Sequence, residues 1–284
     1  MKFGLMFSNV GPFAQPDGLT HLAQTAENCG VESLWTVEHV AVPVGYESRY
    51  PYSDDGKMPG PENAPIPDPV TWLSYAAAVT KTIKLATGIL ILPQRNPIYT
   101  AKQFATLDVL SKGRVIAGIG IGWLKEEFDA LDIPFKERAP RTEECVAALR
   151  QLWGEKAVPF EGKFYNWPAI ESNPKPVQSG GIPIVVGGHV EAAARRAARI
   201  GDGFFPAMGD LPKLFAIVRE ECERNGRDPG EVELMTGGAI RSLDDVKRFE
   251  DMGVSRLILP PPGFDPDAVE KGLEKLGNDL ISKL

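Results

Sequence analysis

The sequence predicts an α/β fold in the form of a (β/α)8 TIM barrel. Three observations lead there. Eight strand-like apolar runs alternate with helical patterns along the chain. Two of the helical patterns open on an N-cap residue followed by proline, Asp68-Pro69 and Asn96-Pro97. The stretch from Leu85 to Trp123 reads as strand, loop, helix, strand and glycine loop, which is the repeating unit of a parallel sheet buried on both faces. A doubly wound sheet is the alternative arrangement of the same alternation.

The strand runs are expected at residues 2–8, 33–37, 84–92, 114–119, 182–186, 203–206, 232–236 and 255–259. Ser242-Leu-Asp-Asp245 resembles a capping box with Asp in place of the usual Glu. Two segments exceed ordinary connections. Residues 40–67 follow the second strand, are rich in Pro, Gly and Tyr, and are expected to form a lid or pocket wall over the C-terminal face. Residues 153–181 form a second, extended insertion before the fifth strand. A chain of 284 residues suits one barrel domain spanning residues 1–284.

Composition narrows the function. The formal net charge is −7 with no long run of like charge, which argues against nucleic-acid or anionic-membrane partners. No apolar stretch is long enough to span a bilayer, and Met1 leads straight into a strand-like run without a signal-peptide layout. Cys29, Cys145 and Cys222 lie far apart and read as buried helix residues, so a reducing cytoplasm is expected.

Each of the three histidines can be weighed. His21 lies inside the first helix pattern and reads as structural. His39 follows Glu38 just after the second strand, and His189 follows Gly187-Gly188 after the fifth. Barrel active sites sit at the C-terminal strand ends, so both reach the functional face, beside the loop Gly118–Gly122. For Glu38-His39 the choice is between a rim salt bridge and a proton donor or acceptor beside a substrate. For Gly187-Gly188-His189 it is between a tight strand-to-helix turn and a phosphate cradle at a helix N-terminus. Arg195, Arg196 and Arg199 lie beyond the first turn of the helix that follows and read as solvent-facing. Metal-dependent chemistry is set aside because no H-x-H occurs and the histidines lie on different strands, so no metal site is expected. Schiff-base chemistry lacks a lysine placed inside the barrel. Gly118-x-Gly-x-Gly122 lacks the spacing of a dinucleotide fingerprint, so no NAD site is indicated.

At these residues the chain resembles the bacterial luciferase-like monooxygenase family, whose members use FMN or coenzyme F420. The resemblance rests on residues 34–39 (LWTVEH), 87–97 (TGILILPQRNP), 105–108 (ATLD), 111–115 (SKGRV), 118–123 (GIGIGW), Val186-Gly-Gly188 and Gly201-Asp-Gly203. It implies a barrel holding the cofactor at its C-terminal face. It also implies a non-proline cis peptide at Gly88–Ile89, with Ile89 backing the middle ring. Cofactor phosphate would meet Gly120, Ile121 and Gly122 and the turn Gly187, Gly188 and His189. Two departures stand out there: Ile121 replaces a common Thr or Arg, and His189 replaces a common hydroxyl residue. The acid/base role carries over to His39 and an orienting or cofactor-contact role to Glu38. Sugar-phosphate dehydrogenases of the family place an acid where this chain has Trp123, which argues against a phosphosugar substrate. Phe7, Tyr46, Trp72 and Trp123, with Tyr50 and Tyr52, are expected to wall a largely apolar substrate pocket.

Three functions follow from the resemblance. The first is F420-dependent hydride transfer to or from a small, largely apolar organic molecule. The second is an FMN-dependent monooxygenase served by a separate flavin reductase; a flavin or F420 reductase is the partner expected. The third is a non-catalytic barrel subunit. The resemblance also implies a homodimer.

Overall fold

A parallel strand covered on both sides needs only a short apolar run, and here each run supplies three to six residues. In the computed structural model, which describes residues 1–284, the barrel strands are β1 (Lys2–Leu5), β2 (Ser33–Thr36), β3 (Lys84–Thr87), β4 (Val115–Gly120), β5 (Ile184–Gly187), β6 (Gly203–Phe205), β7 (Glu233–Gly237) and β8 (Arg256–Leu259). All neighbours run parallel. The order is β3-β2-β1-β8-β7-β6-β5-β4, and β4 closes the ring on β3 through Leu85 opposite Val115 and Ala86 opposite Ile116.

The helices are α1 (Pro16–Asn28), α2 (Pro69–Val79), α3 (Pro97–Ser111), α4 (Lys125–Ala130), α5 (Arg138–Trp153), α6 (Glu191–Ile200), α7 (Leu211–Arg224), α8 (Leu243–Asp251) and α9 (Pro266–Asp279). The caps read from the sequence form. Asp68 Oδ1 accepts the Thr71 N–H at 2.8 Å, and Asn96 Oδ1 accepts that of Ile98 at 2.9 Å. Ser242 Oγ accepts the Asp245 N–H at 3.2 Å, while Asp245 reaches back to the Arg241 N–H at 2.9 Å.

Side chains fill the ring. Trp35, Ala86, Ile116, Val185, Phe205, Met235 and Ile258 form one buried interior cluster, so the barrel is a packed core and not a pore. At its N-terminal end Arg256 pairs with Glu32 at 3.0 Å and Glu233 at 3.3 Å. A larger layer, including Leu34, Leu85, Phe104, Phe204 and Phe215, packs the strands against the helices.

Several expectations need correction. The expected third strand is divided: β3 ends at Thr87, and Leu90–Ile91 pairs separately with Ile119 and Gly120. The interruption is the Gly88–Ile89 peptide, which is cis. The other strands stop where their ladder partners stop, so the first ends at Leu5 and not Ser8. α6 starts two residues beyond His189, with Val190 as N-cap. Arg196 is buried, not solvent-facing, because it turns inward to Glu143 at 3.2 Å. Cys29 caps α1 and is only half-buried.

The two insertions differ in form. Residues 40–67 carry no helix or strand and lie over the C-terminal mouth. Residues 154–183 contain a short antiparallel hairpin, Phe160–Glu161 with Asn166–Trp167. Buried Asp108 ties down the end of this segment by accepting the Val177 N–H at 2.8 Å, and the Gln178 amide reaches Val115 O at the start of β4. No helix is long and apolar enough to cross a membrane.

Candidate active site

The C-terminal ends of β2, β3, β4 and β5 converge on one floor, set by Ile89. A Cβ on Gly120 would lie 2.4 Å from Ile89 Cδ1, and one on Gly187 would lie 2.6 Å from Ile89 Cγ2. Both glycines are therefore required by the Ile89 side chain wedged between them. Gly122 and Gly188 differ, since their φ angles of +79° and +130° turn the chain out of the sheet.

Glu38 is buried behind this floor. Its Oε2 accepts the Ile91 N–H at 2.5 Å, and its Oε1 accepts Arg95 Nε at 3.0 Å together with Arg95 Nη2. Arg95 Nη2 also reaches Asp68 at 2.8 Å, so the α2 cap doubles as a counter-ion. Burial pushes the Glu38 carboxyl up, and the Arg95 guanidinium beside it opposes that push. Arg95, whose own desolvation works the other way, is held above its ordinary value by the Glu38 carboxylate. Half-burial would raise Asp68, yet hydrogen bonds from Arg95 and Thr71 hold it below the usual carboxylate range. A cavity of about 320 Å3 lies on the outer flank of this cluster. It is lined by Glu38 and His39 as well as Arg95, Gln94, Asp68 and Ile66, while Gly88, Ile89, Gly120 and Gly187 take no part in it.

His39 borders the same cavity. Its Nδ1 lies 3.1 Å from Glu127 Oε2, and both side chains are almost fully buried. Glu127 comes from α4, directly after the β4 loop. Its second oxygen accepts the N–H groups of Val40 at 2.6 Å and Ala41 at 3.1 Å, the first two residues of the lid. The neighbouring Glu126 accepts from Glu47 at 2.8 Å and Ser48 at 3.0 Å. Those hydrogen bonds overcome the opposing effect of burial and hold Glu126 down at about 2. Two consecutive acids thus hold residues 40–41 and 47–48 of the lid.

Aromatic rings close the mouth. Trp123 meets His39 edge-on at 5.6 Å, Tyr46 at 5.6 Å and Tyr50 at 5.2 Å. Tyr50 meets Tyr52 at 5.3 Å, and Tyr52 meets His189 at 5.0 Å, so the lid spans the β4 and β5 loops. Phe7, at the end of β1, is 39% exposed with φ +56°. A large side chain held in the left-handed region at a barrel mouth is the kind of irregularity that clusters at functional sites.

The family model described as luciferase-like monooxygenase matches residues 1–258. The chain belongs to that family. An uncharacterised protein of Mycobacterium tuberculosis is 33% identical over 275 residues, covering 93% of this chain and 94% of that protein. An F420-dependent glucose-6-phosphate dehydrogenase of Kineococcus radiotolerans is 32% identical over 228 residues, covering 77% of this chain and 62% of that enzyme. Among solved structures, the monooxygenase RslO1 from Streptomyces bottropensis superposes with a TM-score of 0.78 at 24% identity, covering 100% of this chain and 99% of that one. An F420-dependent secondary alcohol dehydrogenase superposes equally well, at 0.78 and 19% identity, covering 99% and 98%. At such identities the two superpositions establish the barrel fold.

As a luciferase-like barrel, the molecule can be tested for its fit to a flavin-type cofactor. The Gly120–Ile89–Gly187 floor offers an apolar surface without side chains crowding its flanks. The N–H groups of Ile121, Gly122, Trp123, His189 and Val190 have no backbone acceptor within the protein, and His189 Nδ1 is buried without a partner. These groups suit an anionic tail beside a flat ring. Burial lowers the pKa of His189 below the ordinary imidazole value.

The residues expected at the site do not all meet. Glu38, His39, Ile89, Gly120, Ile121, Gly122, Gly187, His189, Phe7 and Trp123 lie at the strand ends and loops of the mouth. Gly88 sits below them against Trp35 and Met6. The Gly188 N–H donates to Phe205 O at 3.2 Å, so the free donors of that turn begin at His189. Tyr46 is buried behind Trp123, its hydroxyl accepting the Met58 N–H at 2.8 Å. Trp72 is the clearest departure from the expected pocket wall. It is a core residue at 3% exposure whose Nε1 donates to Phe13 O at 2.7 Å. Sequence reasoning missed Arg95 and Glu127. Arg95 lay inside the Leu92–Pro97 motif, and Glu126-Glu127 opened a short helix directly after the glycine loop.

Proposed function

We propose that this protein is an F420-dependent oxidoreductase acting on a small, largely apolar organic molecule at the C-terminal mouth of the barrel. The observation that carries this reading is His39, held by Glu127 at its Nδ1 and bordering a cavity at the strand ends. The preference for F420 rests on the F420-dependent relative at 32% identity. When bound, F420 supplies a carbon centre that gives or takes a hydride. His39 Nε2 moves the accompanying proton to or from the substrate oxygen or carbon. Glu38, neutralised by Arg95, holds the Ile91 backbone and so fixes the floor that carries the ring. Ile121, Gly122, Trp123, His189 and Val190 hold the phosphate through their N–H groups. Phe7, Trp123 and the Tyr50–Tyr52 pair exclude water from the substrate, and Trp123 supplies no carboxylate for a sugar phosphate.

The family description itself favours a second reading, an FMN-dependent monooxygenase supplied by a separate flavin reductase. Fluorescence titration with F420 and with FMN separates the two. F420 binding at micromolar or lower Kd, with FMN at least a hundredfold weaker, is the expected result, and the reverse order overturns the F420 reading. The His39→Ala variant is expected to lose 10²–10⁴-fold in turnover while binding cofactor normally; unchanged turnover overturns the catalytic assignment. We propose a homodimer formed through α2 and α3, whose outer faces expose Tyr75, Tyr99 and Leu110, working in the cytoplasm.

A further inference from the structure

We infer that Glu127 is the positioning residue of His39, and that one buried carboxylate sets both the tautomer of the histidine and the root of the lid. The inference rests on the proton-moving role of His39 proposed above. Glu127 is 0% exposed and has no basic side chain beside it other than His39. One oxygen takes two backbone N–H groups, from Val40 and Ala41, and the other faces His39 Nδ1 at 3.1 Å. Two N–H donors thus occupy one oxygen, and His39 Nδ1 is the polar atom facing the other. An ionised carboxylate only accepts, so the proton of the shared bond belongs to His39 Nδ1. Neutral His39 is therefore the Nδ1–H tautomer and presents a lone pair at Nε2, the ring nitrogen not engaged by Glu127.

The arrangement also couples two parts of the site. Val40 and Ala41 begin the lid, whose Tyr50 and Tyr52 reach Trp123 and His189. Trp123 packs edge-on to the His39 ring on another side. The ring is thus held by Glu127 at Nδ1 and by Trp123 across its edge, and the lid root shares the first of these anchors. Glu126 serves the lid alone, since its contacts are the N–H groups of Glu47 and Ser48.

Glu127→Gln separates tautomer control from lid anchoring. The glutamine carbonyl oxygen can still accept from Val40 and Ala41. Its amide can only donate toward Nδ1, which forces the proton of neutral His39 onto Nε2. The chain has three histidines, so long-range 1H–15N spectra of the 15N-histidine-labelled, cofactor-free protein resolve them, and the signals lost in His39→Gln identify His39. The inference expects the Nδ1–H tautomer in the native protein, the Nε2–H tautomer in Glu127→Gln, and a kcat lowered 10²–10⁴-fold with KM and cofactor Kd changed less than threefold. A merely structural role for Glu127 would move KM and Kd and leave the tautomer alone. An Nε2–H tautomer in the native protein overturns the inference, and this measurement does not depend on the variant folding. So does an unchanged tautomer in Glu127→Gln. Full turnover in His39→Ala overturns the proposed function instead, leaving the spectra to judge the Glu127 assignment separately.

Discussion

Replacing Gly120 by alanine tests the floor of the site through stability alone. The φ of Gly120 lies outside the left-handed region, so the backbone itself accepts a side chain. The added methyl would meet Ile89 Cδ1 at 2.4 Å and Cγ1 at 2.8 Å. Ordinary carbon contacts need about 3.5–4.0 Å, so the Ile89 side chain must retreat by roughly 1 Å. The clash with Cγ1 cannot be relieved by swinging the terminal methyl away, and the opposite flank of the side chain already presses on Gly187. Overpacking of this kind costs about 1–3 kcal/mol, to be read from urea unfolding followed by circular dichroism. The same substitution in an Ile89→Ala background meets no such atom. There it should be neutral, or stabilising by about 0.4–1 kcal/mol, because alanine restricts the unfolded chain. A coupling energy of about 1–3 kcal/mol is therefore expected from the double-mutant cycle. If Gly120→Ala costs as much in the Ile89→Ala background as in the native protein, the wedge is not what excludes a side chain at position 120, and the reasoning fails.

Two other outcomes follow from the ionised groups. Arg95→Met strands the Glu38 carboxyl, whose side chain is only 2% exposed, and should lower stability in urea unfolding by about 3–5 kcal/mol. Adding Glu38→Gln should restore more than half of that loss, and no restoration would show that Arg95 acts through packing. Glu27 accepts the N–H groups of Lys81, Thr82 and Ile83. Although burial opposes them, these bonds lower its pKa from 4.5 to about 2. Its folded value lies below its unfolded one, so its contribution is complete above pH 4.5 and is lost as pH falls toward 2. Glu27→Gln should flatten the acid limb of the stability profile in that window, and an acid limb identical to the native protein's would refute the assignment.

Local features of the fold were legible from the chain because their causes are local. The caps at Asp68 and Asn96 need only a side-chain oxygen two or three residues before a free N–H, and the barrel strands need only a short apolar run. Placing Glu38-His39 at the functional face needed one further step, that strand ends carry chemistry in a barrel. What was not legible joins distant parts of the chain. Arg95 reaches Glu38 across 57 positions and Glu127 reaches His39 across 88, and no periodicity encodes either pairing. Glycine was ambiguous for a related reason. Gly120 and Gly187 look like phosphate-loop glycines in sequence, yet in space they make room for an isoleucine. Trp72 shows the same limit from the other side, since an aromatic residue near the lid reads equally well as pocket wall or as core.

On the proposed function, a flat redox ring rests on Ile89 between Gly120 and Gly187. A crystal structure of the protein soaked with coenzyme F420 tests this most directly. Ring density is expected in van der Waals contact with Ile89, and phosphate density within hydrogen-bond reach of the N–H groups of Ile121–Trp123 and His189–Val190. Ring density in the cavity beside Arg95 and Gln94, or phosphate held away from both loops, would contradict it.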